Sequence, residues 1–503
     1  GVKNILPNNV KKWLTFADLL VGDIPYFSFS MESTDLETSK GEKIKNYFSE
    51  APIQQIFNKL KYLDQEDLER QKRIISCCMK FHNGYIDTSC GEWSGLRCII
   101  ENPDSVSKNQ LLKWAERIAD RLLKEAEYNK DKTQVNWMQT TLLNNKMGAI
   151  DISGCGKYLY NGTGGILIFL KLLTSYVPKT QYLNVCKLIE EELFQYTDSF
   201  DMEHISNNRY NSGLYNGEAS LTFVYYILYR ITDNTKYYCY MIKHTEILYR
   251  IALQDKNSDL LDGRSGAILM LTVMFELTRK NEYLKKAEII ADKLIKSAEC
   301  MKKGLGWENL STGLKLAGIA HGNAGIALVL LKLFSLTEDF RYYKVFKDAL
   351  TYENSLFDKY KNNWEDLRKT KEDILKSDVA SWCHGAGGIL LSRMIMSHYK
   401  LKKEENKIVK RDIDNASKYL LTHINREEVC LCHGIGGNIL LWDLSKKQKH
   451  NIKTLILNNA GKTLIPFKEW YNPGLMNGYT GIGYYFLMKY SDKFQNYVFL
   501  EGI

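Results

Sequence analysis

The stretch Ser381-Trp382-Cys383-His384-Gly385-Ala386-Gly387-Gly388-Ile389-Leu390-Leu391 decides the fold, because the chain repeats it. Its pattern is a polar residue, Gly-x-x-Gly, then an apolar run. The same pattern stands at Asn161-Gly162-Thr163-Gly164-Gly165, Asp262-Gly263-Arg264-Ser265-Gly266, His321-Gly322-Asn323-Ala324-Gly325, His433-Gly434-Ile435-Gly436-Gly437 and Asn477-Gly478-Tyr479-Thr480-Gly481. A seventh copy, Asn216-Gly217-Glu218-Ala219-Ser220, carries serine for the second glycine, which reads as tolerated variation. The leading glycines are between 44 residues (Gly434 to Gly478) and 63 residues (Gly322 to Gly385) apart. That period suits one helical hairpin per repeat.

Each turn leads into a run such as Ile166-Leu167-Ile168-Phe169-Leu170, and a helix apolar on all sides is buried on all sides. The segments between are amphipathic. In Asn281 to Ala298, Tyr283, Ala287, Ile290, Ala291 and Leu294 share one face between lysines and glutamates. An inner ring of seven helices inside an outer ring of seven accounts for both patterns, so the expected fold is all-α, an α/α-toroid with a small N-terminal extension. Every turn starts an inner helix, so the turns converge on one end of the ring. Asn161, Asn216, Asp262 and Asn477 are expected to cap these helices.

Turns four to six carry histidine and cysteine, the side chains zinc prefers. Lone cysteines are usually inert core residues, but Cys383 and Cys432 stand in matching places of a repeat, beside histidine and glycine. A structural zinc would need a fourth protein ligand, for which His384 and Cys430 are the candidates. His384 follows Cys383 in a tight turn and is expected to point elsewhere. His321 reads as a site residue or as a satisfied core histidine, and Asp259 as a site residue or a helix cap. Tyr479 reads as pocket lining or packing.

Composition narrows the class. The 503 residues are 45% hydrophobic and 25% charged with a net charge of +9, ordinary for a globular protein. No stripe of Lys and Arg with interleaved aromatics suggests nucleic acid. Eleven cysteines without framework spacing fit free thiols or a metal site. Cys77, Cys78, Cys155, Cys186, Cys239 and Cys300 read as small buried hydrophobes. No signal peptide and no apolar run of about 20 residues is present, so a cytoplasmic protein is expected.

The first 105 residues lack the turn. Gly22-Asp23-Ile24-Pro25-Tyr26-Phe27 reads as a loop or short extended piece, Asp64 to Met79 as a helix, and Asn102-Pro103-Asp104-Ser105 as a boundary. Ser107 caps the helix that follows, whose apolar positions are Leu111, Leu112, Trp114, Ala115 and Ile118.

The ordered set Ala320-His321-Gly322, Trp382-Cys383-His384-Gly385 and Cys432-His433-Gly434 resembles the LanC-like lanthionine cyclases over residues 106 to 503. Ser381-Trp382-Cys383-His384-Gly385-Ala386, Leu431-Cys432-His433-Gly434 and the Gly22–Phe27 motif make it similar to the cyclase part of class II (LanM-type) lanthipeptide synthetases. On that resemblance residues 1–105 are the end of a dehydratase domain and 106–503 a cyclase domain. No ATP-binding loop of the Walker or kinase kind occurs in the chain, so it reads as part of a longer synthetase.

The resemblance implies Zn2+ held by Cys383, Cys432 and His433, with His321 as acid/base and Asp259 as the active-site aspartate. It further implies addition of peptide cysteines to dehydroalanine or dehydrobutyrine, giving lanthionine and methyllanthionine thioether rings. Its implied partners are a dehydrated precursor peptide (leader plus core), the dehydratase domain of the parent synthetase, and an export transporter at the membrane. Some family members carry arginine four residues before the first zinc cysteine, where this chain has Val379. The alternative is a LanC-like zinc protein that binds glutathione or other thiols. A toroidal glycosidase is excluded, since the turns offer Glu218 and Asp262 alone as carboxylates.

Overall fold

The computed structural model describes residues 26–39, 41–61, 63–82, 107–142, 150–203, 205, 210–368, 380–423, 430–446 and 472–503. The chain divides into two units, 1–86 and 87–503. In the first, β1 (Phe27–Phe29), β2 (Leu36–Thr38) and β3 (Lys43–Ile44) form an antiparallel meander, with Phe27 opposite Thr38 and Leu36 opposite Ile44. Two helices follow, α1 (Pro52–Leu60) and α2 (Gln65–His82). The carboxylate of Asp64 accepts the Asp67 N–H at the start of α2 (2.8 Å). Residues 22–25 and the boundary expected at 102–105 lie outside the described residues.

The second unit opens on α3 (Lys108–Glu125). Ser107 and Gln110 close a reciprocal capping box there, and Leu111, Trp114, Ala115 and Ile118 are buried. Seven inner helices follow the seven turns: α4 (Thr163–Thr174), α6 (Glu218–Thr232), α8 (Arg264–Thr278), α10 (Asn323–Thr337), α12 (Ala386–Met396), α14 (Ile435–Lys446) and α15 (Tyr479–Tyr490). The outer helices among the described residues are α3, α5 (Thr180–Asp198), α7 (Thr235–Gln254), α9 (Asn281–Lys296), α11 (Phe340–Ser355) and α13 (Lys403–Thr422). In α9 the buried residues are Tyr283, Ala287, Ile290, Ala291 and Leu294, the face its spacing indicates.

Each inner helix packs on the next, α4 on α6, α8, α10, α12, α14 and α15 in turn, and α15 returns to α4. The ring is closed: an α/α-toroid. The last inner helix packs against α3, which precedes the first turn in sequence. Short antiparallel ribbons such as β4 (Glu127–Tyr128) with β5 (Val135–Asn136), and β6 (Met138–Leu142) with β7 (Ile150–Gly154), complete this part.

The turns also join each other through the backbone. Tyr160 N–H donates to Tyr215 C=O (2.9 Å), Tyr215 to Leu261 (3.3 Å), and Leu261 to Ala320 (3.0 Å). Beyond a gap, Trp382 donates to Cys432 (2.9 Å), Cys432 to Met476 (2.9 Å), and Met476 back to Tyr160 (2.8 Å). Close approach explains the second glycine: a Cβ on Gly165 would lie 2.3 Å from Leu159 O and 2.7 Å from Leu475 Cβ. Ser220, in the equivalent place, has its own use. Its hydroxyl accepts the Leu159 N–H (2.7 Å).

Two expectations are corrected. The N-caps are the glycines Gly162, Gly217, Gly263 and Gly478, in extended backbone with no side-chain cap bond. The polar residue before each glycine reaches the next turn instead: Asn161 Oδ1 accepts Asn477 N–H (3.4 Å), and Asn216 Nδ2 donates to Asp262 (3.2 Å). Cys155 and Cys186 are buried as expected, but Cys239 and Cys300 are exposed, on the solvent side of an outer helix and in a ribbon. The side chains of Cys77 and Cys78 lie outside the described residues.

Candidate metal centre and its histidine

The residue two before each leading glycine lies at the joined end of the ring. In turns five and six it is Cys383 and Cys432. Their sulfurs and a ring nitrogen of His433 all lie within 4.8 Å of one another. Donors around a tetrahedral zinc stand roughly 3.3–3.8 Å apart, so two thiols and an imidazole at this spacing fit that ion. Three protein donors leave one position for another ligand. His384 is not in the set: its ring stacks on His321 at 5.6 Å and 25°, and burial pushes its pKa down to about 4.

The thiols are unequal. The Cys432 thiol donates to Cys383, and His384 and His433 add to that effect against burial, so Cys383 is held well below the ordinary thiol value. Burial, then the neighbouring Cys383, pushes Cys432 up. The two thiols are thus pushed apart, Cys383 toward the thiolate and Cys432 away from it.

Beside it lies a second group. His321 Nδ1 donates to Asp259 Oδ2 at 2.9 Å and stands 3.9 Å from Asp262 Oδ2. Burial opposes its charge, but the Asp259 hydrogen bond, Asp259 and Asp262 charges, and Cys383 outweigh it and raise His321 to about 9. Asp262 is pushed up to about 7 by burial and by Asp259. Asp259 caps no helix, because Gly263 is the N-cap of α8; its Oδ1 accepts the Asp262 N–H within the turn (2.7 Å), while Oδ2 accepts from His321 and from Asn309 Nδ2 (3.2 Å). Tyr479 packs: it is buried, donates to Glu125 (2.7 Å), and lies under Arg121.

Sequence reasoning missed two neighbours. Tyr160 donates its hydroxyl to Cys432 Sγ (2.8 Å) and to Asn477 Oδ1 (3.2 Å). Its place two before Gly162, matching the cysteines, was the available signal. Burial works against the Arg368 charge, but Asp366, which binds the guanidinium at 2.8 and 2.6 Å, and then the nearby Cys383 keep it protonated. Arg368 has no place in the repeat, and nothing in its spacing marks it. Val379 lies outside the described residues.

Residues 156–500 match the family model of lanthionine synthetase C-like proteins. The chain belongs to the lanthionine synthetase C-like family. This LanC-like chain is 25% identical to the lacticin 481/lactococcin biosynthesis protein LcnDR2 of Lactococcus lactis subsp. lactis, over 93% of its own length. It spans about half the length of that relative (50%). Among solved structures it is similar to nisin cyclase, with TM-score 0.50 and 17% identity over 77% of this chain and 95% of that one, a likeness of fold. Among the described residues no helix is long and apolar enough to cross a membrane.

Proposed function

We propose that this LanC-like chain is a zinc-dependent lanthipeptide cyclase that adds peptide cysteines to dehydroalanine or dehydrobutyrine. The observation that carries the reading is the convergence of Cys383, Cys432 and His433 within 4.8 Å beside the His321–Asp259 pair. Zinc on those three donors would hold a peptide cysteine as thiolate at neutral pH, where a free thiol of pKa about 8.5 is mostly protonated.

The remaining work falls to the chain. The peptide sulfur forms a bond to Cβ of the dehydro residue, the Cα–Cβ double bond opens, and the electron pair moves onto the adjacent carbonyl as an enolate. His321, charged at neutral pH, donates its Nε2 proton to Cα and is recharged from solvent. Asp259 fixes the imidazole through Nδ1, leaving Nε2 as the donor. The proton lost by the cysteine balances the one gained at Cα. The substrate on this reading is a dehydrated precursor peptide with leader and core, and the parent synthetase supplies the dehydratase and the approach to an export transporter.

The test is incubation with a dehydrated precursor peptide, then alkylation and mass spectrometry to count free thiols. Wild type is expected to lose thiols with time, and Cys432→Ala to keep them. Equal counts in the two proteins overturn the proposal, as does wild-type protein that binds no zinc.

A further inference from the structure

The ring of backbone bonds between turns is open at one join. Among the described residues no backbone hydrogen bond links the fourth turn, which carries His321, to the fifth, which carries Cys383. The fifth turn is also built differently. Gly385 has φ +79°, whereas the leading glycines of turns one to four and seven are extended, and Trp382 instead of Cys383 takes the ring bond to the sixth turn.

A buried side-chain bridge spans that join. Gly318 N–H, three residues before His321, donates to Glu353 Oε1 (2.9 Å) on outer helix α11. Glu353 Oε2 accepts from Arg393 Nη2 (2.5 Å) on inner helix α12, directly beyond the Cys383 turn. Arg393 Nε reaches Asp412 Oδ2 (3.0 Å) on outer helix α13. All three side chains are at most 1% exposed. Gly318 itself presses on the fifth turn: its φ is +107°, and a Cβ there would stand 3.1 Å from Cys383 O and 3.4 Å from His384 Cα.

Burying two carboxylates and a guanidinium costs desolvation that their pairing barely returns, so such a cluster is a weak stabiliser and a strong setter of register. At the other joins main-chain bonds fix the spacing without it. Here the spacing is the distance between the proton donor and the thiol site.

We propose that the Glu353–Arg393 bridge is a positioning device that sets the gap between the His321 turn and the Cys383 turn, and thereby fixes the face of the peptide enolate that receives the proton. The inference rests on the cyclase reading. Protonation at Cα creates a stereocentre, so a shifted histidine changes the product as well as the rate.

Three variants test it on a dehydrated peptide: Glu353→Ala, Glu353→Gln and Gly318→Ala. Zinc content, kcat, KM and the lanthionine diastereomers released by hydrolysis are measured for each. Glu353→Ala and Gly318→Ala are expected to keep the metal and KM, lose roughly 10–100-fold in kcat, and give mixed diastereomers. Glu353→Gln still accepts from Gly318 and is expected to recover most of the rate and a single diastereomer. If Glu353→Ala does not fold, Gly318→Ala decides, because it leaves the charged cluster intact. Wild-type kcat and a single diastereomer in the folded alanine variants overturn the positioning role while the cyclase reading stands. Failure of wild type to consume thiols overturns both.

Discussion

Two histidine–carboxylate pairs lie among the described residues of the toroid, and they are bonded differently. In repeat two, His244 Nε2 meets Glu218 Oε2 at 3.0 Å, and its Nδ1 meets Thr197 Oγ1 at 3.0 Å. Both side chains are fully buried, and Tyr158 and Tyr196 donate to the other Glu218 oxygen at 2.6 and 2.8 Å. Every polar atom of that imidazole is engaged, so it ties helices α6, α7 and α5 together. In repeat four, His321 engages Asp259 through Nδ1 alone among the described residues, is 25% exposed, and stands near the Cys383 thiol. A histidine bonded at both nitrogens is architecture, whereas one bonded at a single nitrogen beside a nucleophile site is equipped for chemistry.

Substitutions can break or sharpen this contrast. The largest effect is expected from His321→Asn, which removes the proposed proton donor: kcat for ring closure falls roughly 10²–10⁴-fold, and the melting temperature hardly moves. His244→Ala is expected to do the reverse. It strands Glu218 as a buried charge and costs about 3–5 kcal/mol in chemical denaturation, with the zinc content and rate per folded molecule retained.

Asp259→Asn probes the partner. His321 is raised from 6.5 to about 9, so its charged form contributes stability fully below pH 6.5 that is lost as pH climbs through about 9. Without the Asp259 charge, the alkaline limb of the pH–rate profile is expected to move toward the ordinary imidazole value. An unmoved limb means that His321 owes its proton to other groups. Tyr160→Phe is the mildest change. Losing one hydrogen bond to Cys432 costs about 0.5–1.5 kcal/mol, read as a few-fold weaker metal binding. In the cobalt-substituted protein the sulfur-to-metal charge-transfer band is expected to shift to longer wavelength.

The sequence carried the ring because its period is local. Seven Gly-x-x-Gly turns each start an apolar helix, and such helices have only one another to pack against. The same repeat marked two positions, the one two before the leading glycine, where Cys383 and Cys432 stand, and the one directly before it, where His321 and His433 stand. What escaped it depends on distance. The capping role expected of Asn161, Asn216, Asp262 and Asn477 failed because the adjacent glycines take the cap, and those side chains gain more from the neighbouring turn. Tyr160 was hidden because its partner, Cys432, lies 272 residues away. The contrast between His244 and His321 was equally invisible, since bonding at the second nitrogen is decided by other helices.

The most direct measurement follows alkylatable thiols over time on one dehydrated peptide with wild type, His244→Gln and His321→Asn, below the melting temperature of each. Thiols that disappear with wild type and His244→Gln but persist with His321→Asn are the predicted result. Ring closure by His321→Asn at the wild-type rate contradicts the account.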